Sequence, residues 1–152
     1  MILASTAVST PPPLHAAAVA VAPPRCLVVT GDRRLRESIR IAAAVRAGFE
    51  CDAPATAAEI DHLGGVDHRL VFIDLTDLVG PLRRRAILVA AERSRCRATL
   101  VVICGAGRDD EEERLAARLG VGLFLPGVSI ATAVNCVIAE FMEPRSATAA
   151  PA

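Results

Sequence analysis

The chain has 152 residues, room for one domain, and its seventeen basic and seventeen acidic side chains cancel. No net field therefore draws it toward nucleic acid or an anionic membrane. Apolar residues make up 53%, enough for a core without disulfides or metals, while aromatics are 3%, too few to stack single-stranded bases. All seventeen basic residues are Arg, so Schiff-base and P-loop lysine chemistry are excluded.

Residues 1–24 are rich in Ala and Pro, with Pro11–Pro13 in a row, and no Lys or Arg precedes Arg25. The prolines cut the apolar run too short for a signal peptide or a membrane span. The stretch reads as a disordered arm, residues 144–152 as a disordered tail, and residues 25–143 as the folded domain. The five cysteines form no CxxC pair, and His15, His62 and His68 lack finger spacing. No metal site is expected, and the thiols read as small buried groups in a reducing cytoplasm.

Within the domain, short apolar runs alternate with longer helical patterns. Cys26–Thr30 reads as a buried strand, with Asp32 as N-cap of a helix running to about Arg46 and closed by Gly48. Phe49–Cys51 is a short strand and Thr56–Leu63 a short helix. Leu70–Asp74 is a third strand, and Pro81 opens a helix to about Ser94. Thr99–Ile103, a helix over Asp110–Leu119, a strand over Gly122–Leu125 and a helix over Ser129–Met142 complete the pattern. Five such units predict a doubly wound α/β domain with a parallel sheet covered on both faces. Its crevice belongs at the carboxyl ends of the central strands, which gathers Thr30, Gly31, Asp32, Asp74, Cys104, Gly105 and Pro126. No GxGxxG follows the first strand.

A strand ending in Asp74, a small-residue turn after the fourth strand, and the runs Leu115–Gly122 and Leu123–Gly127 resemble the receiver domain of two-component response regulators. The intervals carry the likeness: thirty residues from Asp74 to Cys104 and twenty-two from Cys104 to Pro126. The resemblance covers residues 25–143. It implies a flavodoxin-like five-stranded sheet of order 2-1-3-4-5 with five helices in three layers. It also implies phosphoryl transfer from a kinase histidine to an aspartate, aided by Mg²⁺, a hydroxyl and a lysine.

Position by position, the phosphoacceptor falls on Asp74 and is kept. The acidic pair falls on Thr30 and Gly31, the switch hydroxyl on Cys104 and the lysine on Pro126. Asp32 and Asp77 are the spare carboxylates nearby. The catalytic set has thus changed while the scaffold persists, as in an atypical or pseudo-receiver. Cys104 reads as a buried small residue rather than a redox thiol.

Three surfaces remain. Arg33, Arg34, Arg36, Arg40 and Arg46 decorate the first helix, where a histidine kinase or phosphotransfer protein docks in the family. Arg83–Arg85 and the acidic run Asp109–Glu113 read as solvated charge, the latter favourable at a helix start. On the last helix, Ile130, Ala133, Val134, Val137 and Phe141 recur at core spacing. That leaves Ala131, Asn135, Ile138 and Met142 as an outer face for a homodimer built with the fourth helix and fifth strand.

The expected function is a receiver-like signalling module acting by protein contact, without efficient aspartyl phosphorylation and with no catalytic residues, metal or cofactor. The alternatives are a conventional phosphoacceptor receiver using Asp74 with Mg²⁺, and a small-ligand or flavin-binding α/β module.

Overall fold

A computed structural model describes residues 22–142. Most of the arm and all of the tail lie outside those residues. The described chain alternates β1 (Arg25–Val29), α1 (Arg33–Ala47), β2 (Glu50–Asp52), α2 (Ala57–His62), β3 (Leu70–Asp74), α3 (Gly80–Ser94), β4 (Leu100–Gly105), α4 (Asp110–Leu119), β5 (Leu123–Pro126) and α5 (Ile130–Met142). Element ends differ from the sequence reading by one or two residues, because helices begin after their caps and strand ends follow pairing.

The sheet order is β2-β1-β3-β4-β5, with every neighbouring pair parallel. β1, β3 and β4 are apolar on both sides because both sides are covered. Cys26, Val28, Leu70, Phe72, Val102 and Cys104 face one layer, filled from α1 by Ile39 and Ala43 and from α5 by Ile130, Val134 and Ile138. Leu27, Val29, Val71, Ile73, Val101 and Ile103 face the other, filled by Ile60 of α2, Ala86, Val89 and Ala90 of α3, and Ala116 of α4. Each buried branched side chain contributes about 1.5–3 kcal/mol. The helices are punctuated as their sequences require: Asp32 and Asp109 cap α1 and α4, and Gly48 ends α1 at φ 62°.

His68, just before β3, is fully buried. Its Nε2 lies 2.9 Å from Asp52 Oδ2, and Asp52 in turn accepts a two-nitrogen fork from Arg25. Nδ1 is buried and has no partner among the described residues. The imidazole is thus the neutral Nε2–H tautomer, and burial holds its pKa below the ordinary histidine value against the opposing pull of Asp52. A proton on Nδ1 would find no acceptor, so the folded chain binds it less readily than the unfolded chain. The stability is fully present above the unfolded value, about 6.5, and is lost as pH falls through the lower folded value. The denaturation midpoint is expected to fall from about pH 7 to about pH 5, with a shallower fall in His68→Asn. Urea titrations at several pH values check this, and equal slopes for the two proteins would contradict it.

Candidate functional site

The crevice is built where β1, β3 and β4 end side by side. Asp74 pairs with Cys104 in the β3–β4 register, and Leu75 N donates to Cys104 O at 2.9 Å. Asp74 is buried, at 5% exposure. Its Oδ1 accepts from Thr76 N at 3.1 Å and from the Thr76 hydroxyl at 2.5 Å, so the aspartate closes its own loop.

At the end of β1, Thr30 is buried, and its hydroxyl accepts from Asp32 N at 3.3 Å. Asp32 spends Oδ1 on Arg34 N and Leu35 N, at 2.8 and 3.1 Å, which makes it the cap of α1. Gly31 is the tightest point. A Cβ built on it would sit 3.0 Å from the carbonyl carbon of Asp77 and 3.2 Å from Asp77 Cβ, and would collide with the carbonyl oxygen. The β3–α3 loop therefore rests on this glycine, and no side chain fits there without moving backbone. The side chain of Asp77 is exposed at the same rim.

Arg36 completes the arrangement. Helical side chains lean toward their own N-terminus, so a residue one turn into α1 can reach back over the cap. Its Nη1 donates to Thr30 O at 2.8 Å and to Gly31 O at 3.3 Å. A fixed cation thus binds the carbonyl oxygens of both residues that follow β1.

The opposite rim carries a second guanidinium. Arg83 of α3 donates to Leu75 O at 2.7 Å and lies 3.6 Å from Glu112. Glu112 is buried, and its Oε2 accepts from Ala106 N at 2.7 Å beside Gly105, where a Cβ would meet that same oxygen. Glu112 is the third residue of α4 after the cap Asp109, a capping-box position whose carboxylate reaches the preceding loop instead of the cap amide. Neither Arg83 nor Glu112 stood out in the sequence, since each lies inside a run of like charge. Arg85 likewise is engaged, with Asp61 and Glu92, so the arginine triplet is not simply solvated.

Cys104 is 1% exposed, and burial, with Asp74 adding repulsion, pushes its thiol up to about 12. It is a protonated, weak donor. Pro126 ends β5 exposed, opposite Gly105, and brings neither cation nor amide hydrogen.

Mg²⁺ requires several hard oxygen donors converging on one point. Asp32 is taken up in capping, Thr30 and Gly31 bring no carboxylate, and the described residues hold no group of three His, Cys, Asp or Glu placed for a metal. The donor set does not fit the ion.

The outer face expected on α5 needs correction. Ile138 is only 6% exposed and packs in the core. It follows Ile130 and Val134 in a straight i, i+4, i+8 row, and α5 rests on α1 as well as on the sheet, so its buried arc is wider than one stripe. Ala131 is half-buried, Asn135 is exposed, and the side chain of Met142 lies outside the described residues. Phe141, expected inward, is 41% exposed and stands edge-on to Phe49, 5.8 Å between centroids.

Element order and strand order are those of a doubly wound parallel sheet of order 2-1-3-4-5. The fold is that of a response-regulator receiver domain. Solved structures agree. A CheY-like receiver domain from Methanospirillum hungatei matches with TM-score 0.60 and 14% identity over 78% of this chain and 93% of that one. A receiver protein from Pseudomonas putida matches with TM-score 0.58 and 22% identity over 77% and 97%. The Mn²⁺-bound form of a response regulator matches with TM-score 0.60 and 14% identity over 86% and 100%. No family model matches the chain, and no curated protein matches it in sequence. No helix among the described residues of this receiver fold is long and apolar enough to cross a membrane.

Because the loop carbonyl of Asp77 sits against Gly31, an acidic side chain placed there is expected to strain the loop. Gly31→Asp should lower stability by more than about 1 kcal/mol, as strain at a tight backbone contact does. Arg36→Ala should cost about 1 kcal/mol, less than a buried charge-assisted bond because the side chain is half exposed. Chemical denaturation measures both, and a Gly31→Asp chain as stable as the parent would contradict the close approach.

Proposed function

We propose that the chain is a receiver-like signalling module that works by protein contact and is not switched by aspartyl phosphorylation. One observation carries this reading: the rim of the crevice is closed by the protein's own groups, with Gly31 under the Asp77 carbonyl and Arg36 on the Thr30 and Gly31 carbonyls. Phosphoryl transfer to a carboxylate asks for little covalent help but needs its charge neutralised. Here the metal-binding acids are missing, Cys104 is a weak donor, Pro126 has no charge, and both nearby guanidinia are engaged with backbone carbonyls. Asp74 then serves as a loop-closing acceptor for Thr76.

The contact surface that the side chains favour is α1 rather than α5. Arg33, Arg34, Arg36 and Arg40 line an open cleft of about 560 Å³ with Glu37 and Ala53. Ile41 and Val45, farther along α1, are 54% and 79% exposed. Guanidinia beside exposed aliphatics suit an acidic protein partner with an apolar centre. Ile138, buried in the core, is no longer available to a homodimer through α5.

Incubation with acetyl phosphate and Mg²⁺ is expected to leave the intact mass unchanged. A stoichiometric gain of about 80 daltons, the mass of a phosphoryl group, that disappears in Asp74→Asn would overturn the reading in favour of a conventional phosphoacceptor.

A further inference from the structure

The sheet brings together two thiols that no sequence motif joins. Cys26 of β1 and Cys51 of β2 are register partners across a parallel pair. Both side chains pack into the layer under α1 and α5. Paired strands run about 4.8 Å apart, which is inside the Cα separation of about 4.4–6.8 Å that a disulfide spans. β2 is three residues long and forms the edge of the sheet, so closing the remaining gap between side chains displaces little. The other described cysteines have no such neighbour in register: Cys104 lies two strands from Cys26, and Cys96 and Cys136 are exposed outside the sheet.

The two positions are not equivalent. Cys26 is fully buried, whereas Cys51 is half-buried and lines a cleft of about 500 Å³ between α1 and β2, with Arg40, Ile41 and Val45 on its wall. A small oxidant entering from solvent therefore meets Cys51 first.

We propose that Cys26 and Cys51 are a dithiol site for a hydroperoxide, closing to a reversible intrachain disulfide with Cys51 as the entering thiol and Cys26 as the resolving one. The Cys51 thiolate attacks one peroxide oxygen, the O–O bond breaks, and Cys51 becomes a sulfenic acid while hydroxide leaves. The Cys26 sulfur then attacks the Cys51 sulfur, the S–O bond breaks, and the departing hydroxide takes the Cys26 proton as water. With hydrogen peroxide the sum is two thiols and one peroxide giving one disulfide and two waters: both sulfurs are oxidised and the peroxide is reduced. The polarity suits these roles. The neighbouring Cys26 thiol holds the pKa of Cys51 down while its own is raised, and Arg40 favours charge on Cys51 against the opposing burial and Asp52. The bridge would tie the edge strand to β1 directly beneath α1, and it stands whether or not α1 docks a partner.

The full reduced chain should be treated with a small molar excess of hydrogen peroxide, then alkylated with N-ethylmaleimide in denaturant. The expected result is two fewer alkylated thiols than the five of the reduced chain, a cross-linked peptide joining Cys26 to Cys51, and recovery of all five with dithiothreitol. A chain carrying Cys96→Ser, Cys104→Ser and Cys136→Ser together should still lose both remaining thiols. Cys51→Ser should abolish the loss, and Cys26→Ala, which removes the resolving thiol, should leave Cys51 as a dimedone-reactive sulfenic acid. Five alkylated thiols after oxidation, or a bridge mapped to any other pair, overturns the proposal.

Discussion

The Arg36 guanidinium, held on the carbonyl oxygens of Thr30 and Gly31, is the interaction around which the crevice is organised. It depends on features that lie close together in the chain. Asp32 caps α1 and fixes its entry, the lean of helical side chains aims Arg36 back at β1, and Gly31 has no side chain to obstruct the Asp77 carbonyl above it. A carboxylate at Gly31 would conflict with the loop, and Arg36 already occupies the carbonyls beside it. The local cation is covalently part of the chain and cannot dissociate.

Arg83 does the equivalent work on the far side, bonding Leu75 O from α3 while it faces the buried Glu112 of α4. Two guanidinia, one from each helical layer, thus brace the loops that follow β1 and β3. A charge-assisted bond to a partly buried carbonyl is worth about 1.5–3 kcal/mol before discounting for exposure, comparable with one well-buried aliphatic side chain. Such braces favour a single arrangement of the rim. On α1, Arg36 turns back to the β1 carbonyls while Arg33, Arg34 and Arg40 line an open cleft, so this helix is where rim and surface meet.

The fold was legible because its signals are local and repeated: apolar runs such as Leu70–Asp74, an Asp cap before α1, and Gly48 after it. Strand order came only through the family resemblance, since periodicity does not say which strands are neighbours. The capping role of Asp32 could be read from its position. Arg36 could not be separated from the other arginines of its helix, because composition does not reveal which guanidinium turns back to a carbonyl. Glu112 and Arg83 were hidden inside charged runs for the same reason. Ile138 was misassigned because α5 was given one buried stripe, whereas contact with both α1 and the sheet widens that stripe by a row. The pairing of Cys26 with Cys51 is a matter of register, which no single strand's sequence records.

Whether the crevice takes a divalent ion separates a rim closed by Arg36 from an ordinary receiver rim most directly. Amide chemical shifts of Gly31, Thr76 and Ala106 should be followed during a Mg²⁺ titration of the unmodified chain. The expected result is no saturable change up to about 10 mM, since the oxygen donors that Mg²⁺ requires do not converge there. Saturable shifts at these three residues with a midpoint below about 1 mM, lost in Asp74→Asn, would contradict the closed rim and restore a metal-dependent receiver.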